Sequence, residues 1–152
     1  MQREMNQTEI EHVLSSHSHG HLACCHMKEP YIVPISYILY EHTLLSYTHP
    51  GRKIDIMEKN PRVCVQVDEI GEDQWLSVIV YGQYEELKDK ERLNAIQLLG
   101  QKISHPPNKR LPFLREELIG MHGQSEKDRA IIYRINITSM TGRAFGIPDV
   151  DR

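Results

Sequence analysis

The stretch Ser46-Tyr47-Thr48-His49-Pro50-Gly51-Arg52-Lys53, followed at once by Ile54-Asp55-Ile56-Met57-Glu58-Lys59-Asn60-Pro61, has the residue types to hold an anion. Its pattern is a strand end, a Pro-Gly turn and a short amphipathic helix with two cations in the first turn. A helix N-terminus already carries partial positive charge and favours Asp or Glu, so Arg52 and Lys53 imply an anionic group nearby. Free amides at the helix start, hydroxyls on Tyr47 and Thr48, the planar fork of Arg52 and the point charge of Lys53 together suit a phosphate monoester. The same residues also allow a plain solvated basic turn.

A second chemical cue is Pro34, inside the β-branched and aromatic run from Tyr31 to Tyr40. Proline gives no amide to a ladder, so this strand belongs at an edge or is bulged there, and a ligand can approach its backbone. The elements around these two features can be read in order. A first helix is capped by Thr8, with Glu11 closing a capping box and Ile10, Val13 and Leu14 as its apolar stripe, and it ends before Gly20. A strand over 21–26 turns through Lys28-Glu29-Pro30 into the strand over 31–40, which returns over Thr43–Thr48 to the basic turn. Residues 62–68 alternate as a half-buried strand. Residues 75–87 form a long strand bent at Gly82. Asp89 caps a helix with Leu93, Ile96, Gln97, Leu99 and Ile103 on one face, to about Ser104. A further short helix is predicted over 114–118, and a last strand over 130–137 turns out through Met140-Thr141-Gly142-Arg143. Neighbouring strands with tight turns point to a mainly β (α+β) fold, a small antiparallel barrel with peripheral helices, closed so as to remove its edges.

With 152 residues, one domain over 1–152 is expected. A net charge of −3 gives no general pull toward nucleic acid. No run of eighteen apolar residues and no leader pattern is visible, so a cytoplasmic protein without a membrane span is expected. Cys24, Cys25 and Cys64 are odd in number and fit a reducing compartment. Of the nine histidines, His17, His19 and His21 alternate, with His12 and His26 nearby. Gly20 breaks their geometry and no cysteine pair follows at zinc spacing, so adventitious nickel or zinc binding is expected of them and a native metal site is not.

Taken together and in this order, several short motifs resemble the pyridoxamine 5'-phosphate oxidase-like FMN-binding split-barrel family, in its nitroimidazole-reductase-related branch. They are Gly20-His21-Leu22-Ala23, Pro30-Tyr31-Ile32-Val33-Pro34, Tyr47-Thr48 with Gly51-Arg52-Lys53, Asn60-Pro61-Arg62-Val63, Trp75 with Ser77-Val78 and Gly82, and Ile137-Thr138-Ser139-Met140-Thr141-Gly142. The resemblance covers roughly residues 8–143. It implies that Tyr47, Thr48, Arg52 and Lys53 hold the phosphate of FMN, with the isoalloxazine ring along Val33, Pro34, Ile35 and Ser36. It also implies a homodimer with the flavins in clefts between subunits, where Trp75, Ser77 or the C-terminal segment reaches the partner's flavin. A rim or dimer-interface place for Trp75 is the other reading of that residue.

The chain departs from the family in two places. Nitroimidazole-reductase-like members carry a histidine in the third strand before the phosphate turn; here Ser46 and Tyr47 stand there, and His49 is displaced. The acidic end, Ile147 to Arg152, lacks the basic residues of a pyridoxamine-phosphate site. What the resemblance implies is thus an FMN-dependent oxidoreductase acting on a small-molecule substrate, with no catalytic residue named because the cofactor carries the chemistry. Alternatives are a non-enzymatic flavin or haem carrier, with His122 as an axial ligand, and a deazaflavin-using relative.

Overall fold

The computed structural model describes residues 1–104 and 130–148. Eight strands and three helices follow one another as β1 (Gln2–Glu4), α1 (Gln7–Ser16), β2 (His19–His26), β3 (Glu29–Ser36), β4 (Ile38–Tyr40), β5 (Thr43–Thr48), α2 (Arg52–Lys59), β6 (Arg62–Ile70), β7 (Trp75–Glu86), α3 (Asp89–Ser104) and β8 (Ile131–Phe145). Every strand pairing is antiparallel. The spatial order is β3-β2-β6-β7-β8-β5-β4, with β1 added to the far end of β8. The expected helix over 114–118 and His122 lie outside the described residues.

The fold class is the one expected, but the closure is not. Among the described residues β3 pairs only with β2, and β4 only with β5, so the curled sheet is split between two open edges. Pro34 therefore sits on an edge strand. The Tyr37 amide donates to Ser18 O at 2.9 Å, on the β2 side. By strand alternation Ile35, Val33 and Tyr31 then direct their main chain toward β2, while Pro34 and Ile32 direct theirs outward, where a missing N–H costs no ladder bond. A side chain bridges the split: the buried Ser46 hydroxyl of β5 donates to Ser36 O of β3 at 2.5 Å.

The core follows the strand period. Leu22, Ile35, Leu44, Val65, Val78, Val80 and Ile135 point inward and meet Ile10, Val13 and Leu14 of α1 and Ile54, Ile56 and Met57 of α2. On the opposite face of β5 and β8, Leu45 and Ile132 pack with Leu87, Ala95 and Leu99 beside α3.

Several expected boundaries move. Asn6, not Thr8, caps α1: its side chain accepts from Glu9 N at 2.9 Å and Glu9 Oε2 accepts from Asn6 N at 2.8 Å. Arg3 of β1 decides between the two boxes by gripping Glu9 with its two terminal guanidinium nitrogens, at 3.1 and 2.8 Å. The β2–β3 turn is at Met27-Lys28, both with positive φ of 53° and 65°, the twist a two-residue hairpin requires. The long strand over 31–40 breaks at Tyr37, whose buried hydroxyl donates to Leu14 O at 2.8 Å. In α3, Ala95 and Leu99 form the buried face while Leu93 is 59% exposed. Strand β8 continues to Phe145 instead of turning at 140–143, because β7 and β1 pair with it there.

Candidate functional site

The basic corner forms where β5 ends and α2 begins. Gly51 precedes α2 in an extended conformation and no side chain caps the helix. Asp55 in the first turn and Lys59 in the last suit the helix dipole, whereas Arg52 and Lys53 oppose it. Their positions differ. Lys53 is half-buried, and burial draws its ammonium below the ordinary lysine range, countered by the Cys24 thiol close by. Burial also pushes the Cys24 thiol up, with Cys25 acting in the same direction and Lys53 opposing. Arg52 is exposed, its guanidinium carbon 4.9 Å from the centroid of the Tyr31 ring on β3. Neither cation forms an ion pair with a carboxylate among the described residues.

Because Tyr31 lies opposite Cys24 across the β2–β3 ladder, the first turn of α2 sits over that end of the hairpin. From there Val33, Pro34, Ile35 and Ser36 run along the open edge. Ile35 is buried and Val33 packs on the core, while Pro34 and Ser36 alternate to the other face. The structure therefore joins Arg52 and Lys53 to the edge strand, an arrangement that can seat an anion at one end and a flat group beside it. Thr48 is at the same corner, its hydroxyl donating to His49 O at 3.1 Å. Tyr47, one residue earlier, packs toward α3 with Leu45 and Leu87. Adjacent strand residues face opposite ways, so the Tyr47 and Thr48 side chains are not directed at one point.

Trp75 and Ser77 are elsewhere. Trp75 stacks on Phe145, with centroids 6.2 Å apart and planes 11° from parallel. The Ser77 hydroxyl accepts from Gln66 Nε2 at 3.1 Å, and Gln66 also donates to Asp68 at 2.9 Å. Both belong to β7, three strands from β3 in the sheet order, about 14 Å at ordinary strand spacing. One protomer does not bring them to its own corner. The residue that sequence reasoning missed is Tyr31: it was part of a motif, but its place under Arg52 depends on the Cys24–Tyr31 register and the phase of α2.

A family model described as pyridoxamine 5'-phosphate oxidase matches residues 6–144. An uncharacterized protein of Rhizobium meliloti is 34% identical over 148 residues, 93% of this chain and 94% of that one. Among solved structures, a FAD-binding protein of Mesorhizobium loti superposes with a TM-score of 0.71 at 32% identity, covering 95% of this chain and 98% of its own. A candidate 5-nitroimidazole antibiotic resistance protein of Bacteroides thetaiotaomicron, at 16% identity, shares the fold with a TM-score of 0.72 over 95% of this chain and 88% of its own.

Proposed function

The chain belongs to the pyridoxamine 5'-phosphate oxidase family, and from that premise we propose that it is a flavoprotein oxidoreductase acting on a small-molecule acceptor. The observation that carries the reading is the pair of cations opening α2, with no carboxylate partner among the described residues and with Lys53 held half-buried at a cost to its charge. A buried ammonium without an acid beside it is unfavourable on its own and is relieved by an anionic ligand. The unit these residues recognise is riboflavin 5'-phosphate: FMN has it, and FAD contains it. The FAD-binding relative from Mesorhizobium loti supports a flavin of this kind.

Lys53 and Thr48 hold the phosphate, and the β3 edge from Val33 to Ser36 orients the ring system. The outward carbonyls of Ile32 and Pro34 offer acceptors to the ligand's rim, and Pro34 presents no competing amide. When bound, a flavin supplies hydride transfer at N5, so the chain itself needs no acid or base in a fixed place.

A second copy of the chain completes the site in this reading. Ser77 and Trp75 are too far from their own corner, yet they share an exposed sheet face with Pro34 through the row Pro34, His21, Gln66 and Ile79. That face bares Ile70, Tyr81, Ile32 and Phe145, an apolar surface of the sort a partner covers.

The absorbance spectrum of the purified protein tests the assignment first. Flavin bands that bleach on anaerobic mixing with NADH or NADPH are expected. A Soret band, or flavin bands unchanged by either nucleotide, points to a carrier instead. Arg52→Ala combined with Lys53→Ala is expected to remove most flavin while melting as the parent does, since charge-assisted contacts are worth about 1.5–3 kcal/mol each. Undiminished flavin content in that variant would refute the assignment.

A further inference from the structure

Among the described residues the buried side chains are apolar or aromatic except at Ser46, which is 1% exposed. A hydroxyl is costly there unless it is bonded, and this one donates to Ser36 O at 2.5 Å across the split. Ser36 ends β3 in the same outward main-chain row as Ile32 and Pro34, because the next amide, that of Tyr37, turns back to Ser18 O at 2.9 Å. The Ser46 hydroxyl therefore closes the last outward carbonyl of the edge and ties β3 to β5, two strands that share no ladder.

Directly opposite Ser46 on β8 is Tyr133, its side chain on the same face of the sheet. Its ring is 0% exposed and its hydroxyl has no hydrogen-bond partner among the described residues. Burial pushes this phenol up to about 12, while the nearby Ser46 hydroxyl pulls it the other way. Buried polar groups are paired in the great majority of cases. An orphaned phenol beside a hydroxyl whose proton can rotate is a second acceptor held ready for it.

We propose that Ser46 is a positioning residue for the β3 edge and that its hydroxyl has two stations: Ser36 O when the site is empty, and Tyr133 Oη when the flavin ring is seated. As Ser46 turns away, Ser36 O becomes free to accept from the ring's N–H. Turning to Tyr133 keeps the buried hydroxyl bonded and gives the phenol its missing partner, so the exchange strands neither group. The inference rests on the flavin reading above and adds to it how the edge is held and released.

The experiment has two arms, run on the parent, Ser46→Ala, Tyr133→Phe and the double variant, with melting temperatures recorded for each. The first is hydrogen exchange of the ligand-free protein, read by mass spectrometry on peptides covering residues 29–37. Ser46→Ala is expected to speed exchange there about tenfold, and Tyr133→Phe to leave it as in the parent. The second is a fluorescence-quenching titration with riboflavin, which carries the ring without the phosphate and so takes the basic corner out of the comparison. Tyr133→Phe is expected to melt no lower than the parent, since it loses only an unpaired hydroxyl, yet to bind riboflavin about tenfold more weakly, because Ser46 then has nowhere to turn. The double variant has no donor to strand and is expected to bind riboflavin as Ser46→Ala does. Unchanged exchange in Ser46→Ala, or a Tyr133→Phe protein that binds riboflavin as the parent does, overturns the inference while leaving a flavin site in place. A parent quenched by neither riboflavin nor FMN overturns the flavin reading itself, and this inference with it.

Discussion

Lys53 is the residue on which the corner turns, and its protonation gives it a pH signature. Burial lowers its folded-state pKa, so between that lowered value and the ordinary 10.5 the unfolded chain binds more protons than the folded one. In the ligand-free protein this group's contribution to stability therefore rises with pH across that window. A bound phosphate reverses the preference, because the anion favours the ammonium. Flavin affinity is expected to fall as pH climbs through the lowered lysine value, and Lys53→Arg, which stays charged, is expected to flatten the fall. Titration of the parent and this variant between pH 7 and 10 checks it; parallel profiles would remove Lys53 from the phosphate. Gly82 is a residue of another kind. A Cβ placed there would lie 2.4 Å from Asn136 O and 2.7 Å from Ile135 Cγ2. The strand kinks there, as Tyr81 pairs with Ser139 and Gly82 with Ile137. Gly82→Ala is expected to cost about 3 kcal/mol through overpacking, read as a lowered denaturation midpoint at unchanged slope.

At the scale of elements, the N-terminal lock joins β1, α1 and the end of β8. Arg3 holds Glu9, Glu9 closes the Asn6 capping box, and Arg3 Nε donates to Ile147 O at 3.0 Å. Asn6→Ala is expected to cost about 1 kcal/mol, and Glu9→Gln to remove an acid sensitivity. The Arg3 hydrogen bond holds the Glu9 carboxyl below its ordinary value, so its contribution is present above that value and fades as pH falls through the lowered one. Thermal melts at pH 7 and pH 3 check both, and a Glu9→Gln variant that loses as much stability on acidification as the parent would sink the second. The lock also shows what local pattern can and cannot convey. Asn6-x-x-Glu9 and Thr8-x-x-Glu11 are equally good boxes, and only Arg3, arriving on a strand paired to β8, separates them. Residues 43–48 were legible as a strand to the residue, since β-branched and apolar residues stand between two turns. Met140-Thr141-Gly142-Arg143 was expected to be an exit turn, yet β8 runs through it. The glycine is there for packing instead: a Cβ would meet Ile10 Cγ1 at 2.9 Å. The candidate site was legible in the adjacency of Arg52 and Lys53. Their separation in depth was not, because it depends on how α2 is rotated over β2.

For the whole molecule the question is what covers the outer face of the sheet. One end of that face carries the row Ile32, Ala23, Cys64 and Tyr81, and the other carries Ile70, Trp75 and Phe145, with His21, Gln66, Asp68 and Ser77 between them. Beside the first row is a hollow of about 580 Å³ lined by Cys25, Cys64, Tyr81 and Thr138 among others. Two apolar bands flanking a hydrogen-bonded polar centre make a surface that a second copy can meet with its own equivalent, as a twofold interface requires. Pro34 of β3 lies on the same side as Ser77, so pairing two such faces brings β7 of one chain toward the open edge of the other. The expected mass in solution is twice the 17.7 kDa of the chain. Ile79, at the middle of the face and opposite Gln66, is the position to disturb. Ile79→Arg puts a charge into the centre of the pairing and is expected to yield a folded monomer that has lost flavin, although no corner residue has changed. Sedimentation with absorbance detection at flavin wavelengths reads mass and cofactor together. A parent that sediments as a monomer at tens of micromolar, or an Ile79→Arg monomer that keeps its flavin, would show that each corner is complete within a single chain.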